Sequence, residues 1–266
     1  MPGSYLKKLL VTHILREPML SAAIASLGLP KASRGLDAGC GAGLGCTLLA
    51  EEIGMDGHVT GLDISADFLT YAAQVPAQSC LTGSIDFIQG SVDAMPFADN
   101  TFDWVWSADC VGYGPQDPTP SLKELNRVTK PGGLIAILAW SSERLLPGYP
   151  FLEARLSATT PGIAPFSGDM EPSRHFQRAL GWLKALGLQN LKAEVFAGSA
   201  HAPLSHELFT ALQELFDMRW SGVAAELSKT DRAAYRRLCK PESPDFILNH
   251  PDYFAFYTYS LFHGIA

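Results

Sequence analysis

Short apolar strands alternate with helical stretches between residues 34 and 140, and this alternation constrains the fold more than any other feature of the chain. The predicted strands are Arg34–Asp37, His58–Leu62, Ile85–Gln89, Phe102–Ser107 and Leu134–Ala139. A helix or a compact connection separates each strand from the next, as parallel pairing requires. The segment therefore predicts an α/β, doubly wound sheet with helices on both faces.

The sequence changes character after Trp140. Residues 141–172 carry five prolines and several glycines, which disfavour long regular elements and predict an insertion that covers the sheet's crevice. Residues 1–33 are expected to form an exposed N-terminal helical segment. Residues 173–266 are expected to complete the sheet, with a helical cap over 203–250 and a last strand at Tyr253–His263.

Composition excludes several classes of protein. Hydrophobic residues make up 47% of the chain and charged residues 18%, as in folded proteins. The net charge is −7 and no basic run exceeds a pair, which disfavours a nucleic-acid partner. No apolar run approaches the roughly 18–20 residues of a membrane span, and no signal-peptide cleavage pattern is evident. We expect a soluble protein, a monomer or a homodimer.

Cysteine and histidine spacing makes a metal site unexpected. The five cysteines lack CxxC spacing, and the seven histidines lack the spacing of metal ligands. Unpaired cysteines suit a reducing cytoplasm, which is the predicted location.

A glycine-rich loop, GLDAGCGAG at residues 35–43, joins the first strand to a helix predicted at 44–53. Its glycines allow a sharp turn and close approach of a ligand to the main chain, beside a helix N-terminus. The dinucleotide fingerprint fails, because Leu44 or Cys46 occupies the place of its third glycine. Acceptors such as the Gly39 carbonyl and the Asp37 carboxylate suit a cationic ligand. The alternative is a tight turn without a ligand.

Asp63 ends the second strand about 20 residues after the glycine loop, the spacing at which an acidic residue meets ribose hydroxyls. The alternative is a carboxylate at the start of the next helix, where Ser65 and Asp67 are also placed to cap.

Four motifs in order resemble the class I S-adenosylmethionine (SAM)-dependent methyltransferases, and more closely the ubiquinone and menaquinone C-methyltransferase group. They are LDAGCGAG at 36–43, TGLDIS at 60–65, MPF through FD at 95–103 and ELNRVTKPGG at 124–133. The resemblance implies a Rossmann-like, seven-stranded sheet whose last strand is antiparallel. It also implies SAM as the cofactor and methyl transfer as the reaction.

The resemblance further implies which residues surround the cofactor. They are Asp37, Gly39, Cys40 and Gly41 with the main chain near Ser107 at the methionine end, Asp63 at the ribose, and Ile64, Ser91, Val92 and Asp93 at the adenine. Where the family usually places an adenine-binding Asp, this chain has Ser91, so Ser91 and Asp93 stay open as alternatives.

On the acceptor side, Asp109 and Tyr113 follow the fourth strand and are the candidate catalytic residues. Asp109 either orients the acceptor or starts a helix. Trp140, Phe151 and Phe209 are the candidate acceptor walls, with simple packing as the alternative for Trp140 and surface elaboration for the insertion and cap.

Methyl transfer is an in-line displacement that requires placement and exclusion of water, and a general base only for a weakly acidic acceptor. A small-molecule acceptor is expected. The rival interpretations are a nicotinamide-dependent oxidoreductase, a non-catalytic SAM or nucleoside binder, and a methyltransferase acting on a protein.

Overall fold

The computed structural model describes residues 4–74, 84–166 and 171–266. Cys80 and residues 167–170 of the predicted insertion lie outside the described residues. The strands are β1 (Arg34–Ala38), β2 (His58–Asp63), β3 (Ile85–Gln89), β4 (Phe102–Ala108), β5 (Thr129–Arg144), β6 (Gln189–His201) and β7 (Phe254–Ile265). The helices are α1 (Ser4–Ser26), α2 (Leu44–Ile53), α3 (Ala66–Ala72), α4 (Thr119–Val128), α5 (Pro150–Ser157), α6 (Thr160–Ile163), α7 (Ala179–Ala185), α8 (His206–Trp220) and α9 (Lys229–Cys239).

The strands form one seven-stranded sheet in the order β3-β2-β1-β4-β5-β7-β6. The pairs among β1 to β5 are parallel, whereas β7 runs antiparallel between β5 and β6. The predicted fold class, a doubly wound Rossmann-like sheet with an antiparallel last strand, is confirmed.

Side chains of the central strands alternate between two buried cores, one on each face of the sheet. Trp104 and Trp106 of β4 belong to the core that also includes residues of α1, α2 and α8. Val105 between them belongs to the opposite core, which includes residues of α4 and α7. Each face of the sheet is thus covered by helices, which leaves the carboxyl ends of the strands as the open edge.

Helix α1 is packed on the sheet, so the prediction of an exposed N-terminal helix is wrong. Leu15, Met19 and Ile24 are buried, and the helix lies against α8, β6 and α2. Its apolar residues recur at helical spacing and form a stripe that faces the core.

Strand β5 is longer than its predicted span of Leu134–Ala139, because residues 129–133 enter the sheet through an irregular register opposite β4. The Gly132 amide also donates to the Ala266 carbonyl at 2.8 Å, which ties this start to the chain's last residue. At its other end, β5 continues past Trp140 to Arg144. Within the described ranges, no helix is long and apolar enough to cross a membrane.

Candidate functional site

The glycine loop is anchored to β2 where β1 ends. The amides of Gly39 and Cys40 donate to the Leu62 carbonyl at 2.8 and 2.9 Å. Gly39 has φ +84°, and a Cβ there would lie 2.2 Å from the Cys110 sulfur. A Cβ on Gly41 would meet nothing closer than Phe68, at 4.0 Å, so this glycine leaves its open side to the adjoining cavity. The first position needs glycine for packing, and the second keeps the main chain accessible.

Two cavities, of about 670 Å³ and about 440 Å³, lie along this edge of the sheet. Gly39, Asp63, Cys110 and Tyr113 line both, so the cavities meet at the ends of β1, β2 and β4. Because β2 lies on one side of β1 and β4 on the other, this is the topological switch point at which open α/β sheets bind ligands.

Asp63 is fixed at the shared rim of the two cavities. One of its carboxylate oxygens accepts from the Gly41 amide and the other from the Ser65 amide, each at 2.8 Å. The cap of α3 is instead the Ser65 hydroxyl, which accepts from the Phe68 amide at 3.3 Å. A carboxylate has about four acceptor sites, so Asp63 keeps capacity for hydroxyl donors.

The smaller cavity contains the four residues assigned to the adenine. Ile64 is 72% exposed at its edge, and Ser91, Val92 and Asp93 line it as well. The Ser91 hydroxyl accepts from the Asp93 amide at 3.1 Å, and the Asp93 carboxylate accepts from the Ser121 hydroxyl of α4. Both polar side chains adjoin the cavity, so the choice between them stays a prediction.

Asp37 is a buried carboxyl that lines the larger cavity. Burial raises its pKa from 3.8 to about 7, although the hydrogen bond from the Cys46 thiol, at 3.3 Å, opposes the rise. Cys40 lines the same cavity. Because ionised Asp37 has few partners in the protein, a cationic ligand nearby would stabilise its charge.

Ser107 lies behind the cavity instead of facing it. Its buried hydroxyl donates to the Ala38 carbonyl at 2.8 Å and accepts from the Val111 amide at 3.3 Å. These bonds hold the end of β4 against β1, and the next residue, Ala108, is the one that lines the larger cavity.

Asp109 joins three strands at the edge of the larger cavity. Its carboxylate accepts from the Trp140 amide of β5 at 2.7 Å and from the Tyr259 hydroxyl of β7 at 2.6 Å. The interpretation that Asp109 starts a helix is wrong, because α4 begins only at Thr119. Its lining position and its two fixed oxygens suit an orienting role.

Tyr113 stands where the two cavities meet and packs edge to face with Phe166 at 5.2 Å between centroids. Burial raises the pKa of Tyr113 to about 12, and the charge of Asp109 adds to the rise. The phenol is therefore protonated at neutral pH, where it can donate a hydrogen bond but cannot act as a base.

Trp140 forms a wall of the larger cavity between two arginines. The guanidinium carbons of Arg16 and Arg219 lie 5.9 and 5.4 Å from the centre of its ring. Glu143 accepts from the Trp140 indole at 2.7 Å and from Arg219 Nε at 3.0 Å. Cation–π contact and charge pairing thus fix both the ring and Arg219.

Phe151 and Phe209 do not line either cavity, contrary to their assignment as acceptor walls. Phe151 is 80% exposed on α5, and Phe209 packs edge to face on Phe246 at 5.9 Å. Helix α8 contributes residues nearer its C-terminus, Leu215, Met218 and Arg219. The predicted insertion contributes Ala164 and Pro165 to the same lining.

Helix α1 also lines the larger cavity, which was not predicted from the sequence. Tyr5, Leu9, His13, Arg16 and Leu20 line it. These residues recur every three or four positions, which places them on one face of the helix. Burial lowers the pKa of His13, so this imidazole is neutral at physiological pH. The helical spacing of these residues is visible in the sequence. That this face of α1 lies at the edge of the sheet could be seen only in the structure.

No cluster of metal-binding side chains occurs in the part of the chain that the structure describes.

Comparison with known proteins identifies the class. Residues 36–137 match the family described as "Methyltransferase domain". Demethylmenaquinone methyltransferase of Listeria monocytogenes is 36% identical over 122 residues, which are 45% of this chain and 49% of the relative. The enzyme of the same name from Staphylococcus epidermidis is 32% identical over 150 residues, 55% of this chain and 58% of the relative. The chain thus spans about half the length of the curated relatives that it matches.

Among solved structures, the YcgJ protein of Bacillus subtilis is similar to this chain with a TM-score of 0.57 at 15% identity. The match covers 94% of this chain and 98% of that one. At this identity the likeness concerns the fold alone. The family match confirms a methyltransferase domain at residues 36–137.

Proposed function

We propose that this chain is a SAM-dependent methyltransferase that transfers a methyl group to a small-molecule acceptor by in-line displacement. The observation that carries this proposal is the Asp63 carboxylate, held by two main-chain amides on the rim where both cavities meet the glycine loop. In the matched domain, a carboxylate that suits the hydroxyls of a nucleoside lies beside two adjoining cavities at one edge of the sheet.

The residues present fit SAM. The larger cavity offers the Asp37 carboxyl and the glycine-loop main chain, which suit the cationic methionine end. Among the described residues that line the smaller cavity, none is Lys or Arg, whereas Ile64 and Val92 offer apolar contact. This set suits an uncharged nucleoside better than a pyrophosphate, which disfavours the nicotinamide-dependent alternative.

When bound, SAM supplies an electrophilic methyl group, and the chain's own residues supply placement. Asp63 would accept from the ribose hydroxyls, and Ser91 or Asp93 would bind the adenine. Gly39, Cys40 and Gly41 would hold the methionine end with Asp37. Tyr113 can donate a hydrogen bond to the acceptor, while Asp109 fixes Trp140 and Tyr259, which line the larger cavity beside it.

The methyl acceptor of the menaquinone methyltransferases cannot be assigned directly to this chain. Helices α1 and α8 and strand β7 provide most of the larger cavity's far wall, and all three lie outside residues 36–137. We therefore propose a small molecule as the acceptor without extending the relatives' substrate to this protein. A cytoplasmic location is supported by the free, buried cysteines Cys40, Cys46 and Cys239.

The test is calorimetry with SAM on the wild type and on Asp63→Ala. Loss of hydrogen bonds to a charged group should weaken SAM binding by about 1.5–3 kcal/mol, which corresponds to roughly 10- to 150-fold in Kd. Asp67→Ala is the matched control, because Asp67 is an exposed carboxylate that lines neither cavity. It should bind SAM as the wild type does.

Equal SAM affinity in the wild type and Asp63→Ala would contradict the ribose assignment, and absence of SAM binding would contradict the function. Transfer of labelled methyl from SAM to the small-molecule fraction of a cell extract tests catalysis. Label only in the protein fraction would favour a protein acceptor. SAM binding without any transfer would favour a non-catalytic binder.

A further inference from the structure

Arg16 presents a charged side chain to the larger cavity without a protein partner. Its Nε is shielded from solvent and lacks a hydrogen-bond partner, and its guanidinium makes no hydrogen bond or ion pair within residues 4–74, 84–166 and 171–266. Arg16 is half-buried, and a charge shielded from solvent without a partner is costly. Cation–π contact with Trp140 offsets part of this cost but uses none of the five N–H donors.

The other basic side chains of the cavity are each paired with a carboxylate or kept neutral. Arg219 pairs with Glu143, and Lys8 pairs with Asp217. Burial lowers the pKa of His13 and keeps that side chain neutral. Arg16 is therefore the positively charged side chain that lacks a carboxylate partner among the described residues of this lining.

Asp109 does not neutralise Arg16 through a direct pair. Although burial lowers it, the pKa of Arg16 is raised on balance by nearby Tyr259 and Asp109, so the guanidinium stays charged. The two Asp109 oxygens, however, accept from the Trp140 amide and the Tyr259 hydroxyl, and no ion pair forms with Arg16. An anionic group of a bound ligand would accept hydrogen bonds from the N–H donors of the Arg16 guanidinium.

The position of Arg16 points to the acceptor as the source of that group. Arg16 lies over Trp140 of β5 and near Tyr259 of β7, whereas the glycine loop and Asp63 belong to β1 and β2 on the other side of β4. Leu9, Leu20, Leu215 and Met218 line the same cavity and provide apolar surface.

We propose that Arg16 binds an anionic oxygen group of the methyl acceptor, which is thereby a small organic acid with an apolar body. This inference rests on the proposed function, since it names the substrate class of the same site. The carboxylate at the methionine end of SAM has the same chemistry and is the competing source.

Benzoate, titrated into the protein saturated with S-adenosylhomocysteine, is the first probe. Wild type should bind benzoate at least tenfold more tightly than the neutral isostere benzamide. Arg16→Met should lose that preference, and Arg16→Lys, which keeps the charge without the fork, should retain part of it. Arg236→Met is the matched control, because Arg236 is exposed on α9 and makes no ion pair with the described residues. Equal binding of benzoate by wild type and Arg16→Met would overturn the proposal.

The cofactor is tested with S-adenosylhomocysteine and 5′-methylthioadenosine, which lacks the amino-acid group. Arg16→Met should bind both within twofold of wild type. Loss of affinity for S-adenosylhomocysteine alone would assign Arg16 to the cofactor's carboxylate and overturn the acceptor proposal. Failure of the wild type to bind S-adenosylhomocysteine would instead contradict the proposed function. Thermal melting of each variant checks folding, and Arg16→Gln replaces Arg16→Met if the latter does not fold.

Discussion

Asp37 is the residue whose charge should respond most directly to the cofactor. Its carboxyl is buried, its pKa is raised to about 7, and the Cys46 thiol is its hydrogen-bond donor. Near neutral pH the unliganded protein therefore holds a partly protonated carboxyl in the wall of the cavity. A cation bound there favours the ionised form and lowers the pKa.

SAM binding is accordingly predicted to release a proton from Asp37. The release should be largest between about pH 6 and 7, and affinity should rise with pH through this window, because ionised Asp37 binds the cation better. Calorimetry in two buffers of different ionisation enthalpy measures the released protons. Asp37→Asn should remove this contribution and leave the titration of SAM's own amino group as the background. Equal proton release by wild type and Asp37→Asn would show that Asp37 is not linked to the cofactor.

Residues of the glycine loop and Asp63 could be assigned from sequence because their positions follow from the chain itself, at the end of one strand and a fixed distance further on. The partners of Asp109 could not. Trp140 and Tyr259 are 31 and 150 residues away, and only the register of β5 with β7 brings them together. Arg16 escaped notice for the same reason, since its role depends on where α1 lies against the sheet.

At the scale of elements, the motif ELNRVTKPGG at residues 124–133 explains how α4 is held to the loop that follows β3. Arg127 donates to the Phe97 carbonyl at 2.7 Å and the Met95 carbonyl at 3.1 Å, and pairs with Glu124 at 2.7 Å. Glu124 in turn accepts from the Met95 amide at 2.6 Å. One charged pair thus satisfies the main chain of a segment that lacks regular structure.

Arg127→Met should lower the free energy of unfolding by about 1.5–3 kcal/mol, the range for hydrogen bonds to a charged group. Chemical denaturation measures this, with Arg236→Met as the exposed control that should change stability by less than about 0.5 kcal/mol. The hydrogen bond with Arg127 lowers the pKa of Glu124. Its stabilisation is therefore present above the ordinary pKa of 4.5 and is lost as the pH falls through the depressed value. If Arg127→Met lost no more free energy of unfolding at neutral pH than the control, the stabilising role of the Arg127–Glu124 pair would be contradicted.

The predicted strand bounds were accurate where the local sequence pattern determines them. They were wrong where contacts between distant residues determine them. The bounds of β3 were predicted to the residue, and β2 and β4 each continue one residue beyond their predicted ends. Ahead of α7 the chain forms two 3₁₀ turns, Pro172–Arg174 and Phe176–Arg178, in place of one continuous helix. Strand β5 is extended by the hydrogen bond from Gly132 to Ala266 and by the register shift opposite β4. A window of local sequence shows neither of these contacts.

For the whole molecule, the matched domain and the far wall of the larger cavity come from different parts of the chain. Residues 36–137 contain the glycine loop, Asp63 and the lining of the smaller cavity. The far wall of the larger cavity comes from α1, the end of β5, α8 and β7. In the proposed function the matched domain holds the cofactor and the elements outside it select the acceptor, so the resemblance in sequence bears on the chemistry more than on the substrate.

Because these parts form one folded structure, cofactor binding should stabilise all of it. S-adenosylhomocysteine at about 100 times its Kd should add about 2.7 kcal/mol to the free energy of unfolding, which corresponds to a rise in Tm of about 5–11 °C. Differential scanning calorimetry measures the shift. NAD at the same concentration should leave Tm unchanged, since the third glycine of the dinucleotide loop is absent. Asp63→Ala should show a smaller shift than wild type at equal ligand concentration, because its Kd is higher, whereas Asp67→Ala should match the wild type. A shift with NAD as large as that with S-adenosylhomocysteine would return the nicotinamide-dependent oxidoreductase as the better interpretation of the site.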